Sequence, residues 1–213
     1  MLKDLKAPSR AGSPSPRASC AARRSRVPTP ELVGRSGASS VRGYDGQVTT
    51  PKRDRPQLPK GYITRAAKGM LEWIDADGIL RGGRFYWIAT TDADGRPHLV
   101  QQWAAWVDEH LYFEGSERTR WARNLARDAR VAFGTQVGTR GVFGQGTVDV
   151  VRGVEAALAK RIATQYATKY GRTFDYRPKP EQYEKGPVFR ATPSKVIAFD
   201  VKHFTASGTR FTF

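Results

Sequence analysis

Between Arg84 and Glu114 the chain passes through three extended runs joined by connections that leave room only for antiparallel pairing. Arg84 to Thr91 places Phe85, Trp87 and Ala89 on one face, and Asp94-Gly95 is a strong turn pair. Pro97 to Val107 reads as the second strand and breaks at Asp108-Glu109, after which His110 to Glu114 forms the third. A parallel crossover needs a dozen or more residues, usually a helix, so this stretch is a meander. A doubly wound parallel sheet is thereby excluded.

The rest of the chain alternates between the two periods. Ser116 or Thr119 caps a short helix through Arg127, with Trp121 and Leu125 four residues apart and facing inward. Val131 to Thr135 and Val142 to Val151 return to strand. Gly144 and Gly146 inside the latter signal a bulge, or a place where the backbone closely approaches something. Val154 to Tyr170 is an amphipathic helix stopped by Gly171, and Phe174 to Gly186 is an irregular loop rich in Tyr and Pro. Val188 to Ala191 and Lys195 to Val201 are the last strands, followed by an aromatic tail, Phe204 to Phe213. Upstream, Thr64 caps a helix carrying Ala67, Met70, Leu71 and Ile74 on one face and ending at Asp77-Gly78. The expected fold is mainly β, with six or seven mostly antiparallel strands and three inserted or flanking helices. Such a set hides its edges by closing into a barrel.

Composition divides the 213 residues unequally. Residues 1–60 hold 13 Lys or Arg against four Asp or Glu, more than half of the net +16, and Tyr44 is their only aromatic. A Ser-, Pro- and Arg-rich stretch of this kind buries too little apolar area to offset its ordering entropy. It is read as a disordered basic extension, with 61–213 as the folded domain. Three origins compete for it: an upstream start, a tail touching nucleic acid or membrane, and a targeting peptide. The one cysteine, Cys20, rules out an internal disulfide framework and fits a cytoplasmic protein. No run is long and apolar enough to span a bilayer. Residues 61–213 carry no identifiable recognition helix or RNA-binding signature, so no specific nucleic-acid partner is expected.

Hydrolytic and metal chemistry find no support. The three histidines, His98, His110 and His203, are scattered, and neither an HExxH motif nor a Walker loop is present. Gly141 to Gly146 is glycine-rich but leads into strand formers, not a helix. The informative stretch is Gly115 to Leu125, where Ser116, Arg118, Thr119 and Arg120 crowd a helix start. Unpaired N–H groups and the helix dipole attract an anion there. The bland alternative is a capped, solvated basic helix, yet arginines in a first turn oppose the dipole, which favours a bound phosphate. On the second strand, Gln101 and Gln102 interrupt an apolar run before Trp103, where polar groups can meet a heteroaromatic ring edge or simply face solvent. His98 is open in the same way, as an exposed strand residue or a cleft acid.

Thr90 to Val100, followed by Trp103 and Leu111-Tyr112-Phe113, resembles the pyridoxamine-phosphate-oxidase-like flavin-binding split-barrel superfamily, in its actinobacterial branch using FMN or the deazaflavin F420. Ser116 to Leu125 with Asp128-Ala129-Arg130-Val131 resembles that family's T/S-x-K/R-x-x-N-L-x-x-N-P-R-V segment, although Asp128-Ala129 replaces Asn-Pro. Phe204 to Phe211 is similar to its F-T-A-S-x-T-R-W tail. The resemblance implies a six-stranded split barrel forming a homodimer, with a flavin in each cleft between subunits. It implies that His98, Leu99, Val100 and Gln101 run along the ring edge, mainly through backbone. It places Ser116, Arg120 and Asn124 around the phosphate, joined by Arg118 and Thr119 from the helix start, and brings the Arg210 tail to the ring from either subunit. Val100 to Trp103 departs from the Thr-Pro-Val-Trp of relatives, beside the ring. The expected activity is hydride transfer between FMN and a small planar organic substrate. The alternatives are an F420-dependent reductase and a non-catalytic flavin- or haem-binding protein. Trp87, Trp103, Trp106 and the C-terminal phenylalanines offer apolar walls, and no residue stands out as a general acid or base.

Overall fold

The computed structural model describes residues 51–213. The disorder expected of residues 1–50 falls outside them. Residues 51–60, read with that extension, are in fact tied to the fold: β1 (Lys52–Asp54) pairs with β9 (Thr209–Thr212), setting Asp54 opposite Arg210. The β1 sequence, Lys-Arg-Asp, carries no strand signature, and only its partner makes it one.

Between these ends lie α1 (Trp73–Gly82), β2 (Tyr86–Thr91), β3 (Pro97–Gln102), β4 (Ala104–Val107) and β5 (His110–Phe113). They are followed by α2 (Arg120–Arg127), β6 (Arg130–Val137), β7 (Arg140–Val151), α3 (Ala156–Phe174), α4 (Pro180–Lys185), β8 (Val188–Asp200) and α5 (Phe204–Ser207). The fold is thus mainly antiparallel β, a split barrel, with nine strands and five α-helices among the described residues where six or seven strands and three helices are expected. The sheet order is β1-β9-β8-β7-β6-β2-β3, with β5 joining β8 and β4. The ladder does not close. The run expected from Pro97 to Val107 is broken at Trp103, and the two halves pair with different strands, β3 with β2 and β4 with β5.

Other departures have local causes. The helix expected to be capped by Thr64 is capped eight residues later by Glu72, because Glu72 and Asp75 form a reciprocal capping box that sets its start. Its buried stripe is Ala76, Ile79 and Leu80, and Ile74 faces out. Residues 64–68 instead wrap the guanidinium of Arg55, which donates to the Ala66, Lys68, Ala206 and Gly208 carbonyls. Gly171 does not stop α3. The helix continues to Phe174, whose ring packs against Phe85 and Trp103, and ends at left-handed Asp175. The two last strands merge into one 13-residue β8, which bulges at Ser194, the residue left without a partner opposite Gln145/Gly146 of β7.

Two apolar cores result. One fills the barrel, with Tyr86, Ile88, Trp106, Phe113, Phe133 and Phe211 against α1 and α2. The second lies between β4–β5 and the α3/α4 layer, around Tyr112, Tyr166, Tyr170 and Tyr183. All four residues of β4 are buried because its alternate side chains enter different cores.

Candidate functional site

The β2–β3 hairpin is set by Asp92, whose carboxylate accepts the backbone N–H groups of Asp94 (3.0 Å) and Arg96 (2.8 Å) around left-handed Gly95. The Arg96 N–H, and then the Arg120 guanidinium, hold the Asp92 carboxyl below its ordinary value against some desolvation. The register pairs Thr90 with His98, Ala89 with Leu99, Ile88 with Val100 and Trp87 with Gln101. β3 ends the sheet order, so among the described residues no strand pairs with its far edge. Alternate peptide groups from His98 to Gln101 therefore point along an open edge. Leu99 and Gln101 are exposed, while His98 and Val100 are half-buried.

The sequence also decides where α2 sits. Of the two expected caps, Thr119 holds the position, its hydroxyl accepting the Ala122 N–H at 3.4 Å. Ser116 accepts the Arg118 N–H in the turn before it. The helix is bound to the hairpin at three points: Arg120 to Asp92 (2.8 Å), Asn124 to Thr90 (3.0 Å), and Arg127 to the Thr91 carbonyl. Thr90 in turn donates to the His98 carbonyl at 3.4 Å. The first turn of α2 holds no acidic residue. Arg120 thus stands beside the turn leading into His98, Leu99, Val100 and Gln101, with Thr119 capping its helix and Ser116 and Arg118 in the turn before it.

Two expected residues sit differently. Asn124 is buried, and its amide is engaged with Thr90, so it positions the helix. Arg210 lies on β9, bound bidentately to Asp54 at 2.6 and 2.7 Å, and four strands separate β9 from β3. A single chain does not bring it to the group.

The outer face of the sheet carries a feature with little local signature in the sequence. Trp87, Leu99, Phe143 and Ile197, on four different strands, line an apolar cleft of about 510 Å³ floored by Ala132, Gly134 and Gly144. It adjoins a more polar cleft of about 530 Å³ bordered by Arg130, Gln145, Thr147 and Ser194. Trp87 and Phe143 are each half exposed. The signal available in the sequence was the Gly-x-Gly alternation in β7, and it had two meanings. A side chain at Gly144 would strike the Phe133 ring, and one at Gly146 the Thr192 carbonyl. The close approach is therefore internal packing, not a ligand. Of the expected apolar walls, Trp106 is fully buried and donates to Asp77, and Phe211 is core, leaving Trp87, half-buried Trp103 and Phe204, and exposed Phe213. Among the described residues no cluster of three metal-ligating side chains occurs, and no helix is long and apolar enough to cross a membrane.

The model of the pyridoxamine 5'-phosphate oxidase family matches residues 75–200, which include both α2 and the β2–β3 hairpin. The chain belongs to this family. A conserved hypothetical protein from Mycobacterium tuberculosis shares the fold at a TM-score of 0.54 and 22% identity, covering 69% of this chain and 92% of its own. A solved F420 reductase aligns at 0.44 and 20% identity over 65% of this chain and 98% of its own. An FMN-binding, pyridoxamine 5'-phosphate oxidase-related protein from Nostoc punctiforme aligns at 0.44 and 14% identity over 62% and 84%. The search of curated proteins gives no match. At these identities the likeness is one of fold, and function has to be argued from the site. The family match leaves out residues 51–74 and 201–213, which β1, β9 and Arg55 clasp together.

Proposed function

We propose that this family member is a flavin-dependent oxidoreductase that transfers hydride between FMN and a small planar organic substrate. The observation that carries the reading is the union of two unlike features: an open peptide edge on β3, and a helix whose first turn bears Arg120 and no acidic residue, tied to that strand's hairpin through Asp92 and Thr90. A flavin needs both, hydrogen-bonding groups for its ring edge and cations with helix N–H groups for its phosphate. When bound, the cofactor supplies the hydride chemistry. In this reading Arg118, Arg120, Ser116 and Thr119 hold the phosphate, peptide groups of His98 to Gln101 orient the ring, and Trp87 and Leu99 keep water from one side. The exposed apolar face is covered by a second copy, and Arg210 enters from that partner.

An F420-dependent reductase is the second reading. It draws on the net +7 of residues 61–213, which suits a polyanionic cofactor tail, whereas the compact Ser116–Asn124 cluster suits the single phosphate of FMN. A non-catalytic flavin- or haem-binding role has less behind it, since no histidine lines either of the two clefts. Titrating the full-length chain with FMN and with F420, followed by fluorescence, separates the readings. Selective FMN binding supports the first and selective F420 binding the second. A folded protein that takes neither excludes both.

A further inference from the structure

The Tyr/Pro-rich segment after α3 has no part in the cofactor group, yet it completes an aromatic cluster that begins beside it. Trp103 occupies the break between β3 and β4, two residues beyond Gln101. Its indole stacks on Tyr170 at 4.6 Å and 9°, and its ring centre lies 5.6 Å from that of Tyr176. Tyr166 adds a third ring, 5.4 Å from Tyr170 and 6.0 Å from Tyr176.

The hydroxyls of these tyrosines are not equivalent. Tyr166 donates to the Trp103 and Tyr112 carbonyls, and Tyr170 to the Arg84 carbonyl. A peptide carbonyl accepts a hydrogen bond but is too weak a base to take a proton. Tyr176 instead donates to the Glu114 carboxylate at 2.5 Å, and the Gln182 amide donates to both its oxygen (3.0 Å) and Glu114 (2.6 Å). A phenol that loses an electron becomes strongly acidic. The resting place for oxidation is therefore the tyrosine with a base already in place. Tyr176 and Glu114 are half-buried and reachable from solvent, while Tyr166 and Tyr170 are sealed.

We propose that Trp103, Tyr176 and Glu114 form a one-electron relay that leads oxidising equivalents away from β3. An oxidant held along β3 takes one electron from the Trp103 indole. Tyr176 returns an electron to the indole radical cation and passes its phenolic proton to Glu114. The products are the oxidant reduced by one electron, neutral Trp103, a neutral Tyr176 phenoxyl and a protonated Glu114. A soluble thiol or ascorbate then restores Tyr176. The stacked Tyr170 ring stabilises the transient indole cation. The oxidant's identity, an oxidised or photoexcited flavin, rests on the function proposed above; the relay itself does not.

The test uses a soluble photo-oxidant, ruthenium tris-bipyridine with persulfate, on the full-length chain without flavin, so that its outcome is independent of cofactor binding. Transient absorption is expected to show an indole radical giving way to a phenoxyl. Tyr176→Phe should abolish most of the phenoxyl and prolong the indole radical, and Glu114→Gln should slow the conversion while leaving the rings in place. Trp103→Phe should delay the phenoxyl. Tyr62→Phe, at an exposed tyrosine outside the cluster, should change little. A phenoxyl yield and indole lifetime unchanged in Tyr176→Phe would overturn the relay, as would a signal lost in Tyr62→Phe.

Discussion

Lys169 and Arg120 show how differently one positive charge is treated in this fold. The Lys169 amine is 6% exposed, donates to the Tyr86 hydroxyl (3.0 Å) and the Ala104 carbonyl (2.9 Å), and lies 4.9 Å from the Tyr86 ring centre. Burial, and then the charge of Arg81, lower its pKa to about 7. Above that pH the folded chain has released a proton that the unfolded chain keeps to about pH 10.4. The unfolded state then binds more protons, so stability rises with pH across this window. Below it both states are charged and the whole cost of burying the ammonium stands. Lys169→Met lacks this dependence. In denaturant titrations its stability relative to the wild type should be highest below about pH 7, then decline by up to about 1.4 kcal/mol per pH unit towards pH 10. A difference that stays flat would mean the amine does not change charge there. Arg120, by contrast, is exposed and shares Asp92. On the proposed function, Arg120→Ala should weaken FMN binding by about 1.5–3 kcal/mol, roughly ten- to a hundredfold in Kd, with the fold retained by circular dichroism.

At the scale of elements, β7 and β8 carry the sheet, pairing along their whole length from Arg140 with Asp200 to Val151 with Val188. The bulge opposite Gln145/Gly146 interrupts this ladder beside Pro193, which has no N–H to give. Gly146 lies so close to the Thr192 carbonyl that a methyl group there displaces backbone, not a flexible side-chain end. Gly146→Ala should cost roughly 1–3 kcal/mol or more in thermal or chemical unfolding. A neutral effect would show that the bulge can slide.

The described residues present an apolar band across the outer sheet face, with Trp87 and Phe143 half exposed and Leu99 more so. Isolated exposed hydrophobics are ordinary, but a contiguous band over four strands marks a surface that meets something. In the proposed dimer this band is the interface. Trp87→Lys with Phe143→Lys should shift the protein from dimer to monomer in analytical ultracentrifugation and leave its circular dichroism unchanged. A wild-type monomer at working concentration would remove that interface from consideration and, with it, the entry of Arg210 from a partner.

The sequence by itself determined the antiparallel class of the fold, the Asp94-Gly95 hairpin, a helix capped at Ser116 or Thr119 and the strand broken near Asp108. These signals are local: turn residues, caps and side-chain periods act within a few residues of where they are read. The family-like segments from Thr90 to Val100 and from Ser116 to Leu125 were legible for the same reason, and the structure adds the Asp92–Arg120 and Thr90–Asn124 contacts that join them. The tertiary structure decided the rest. Lys52–Asp54 is a strand because β9, more than 150 residues later, offers an edge. Arg210 is held from β3 because Asp54 faces it. Gly171 stays helical because Phe174, beyond it, has rings to pack against. The apolar cleft joins side chains from β2, β3, β7 and β8, and the Tyr176–Glu114 bond joins two segments 62 residues apart. Each depends on which distant partner a residue meets, and that is fixed by the free energy of the whole packing rather than by any stretch of the chain.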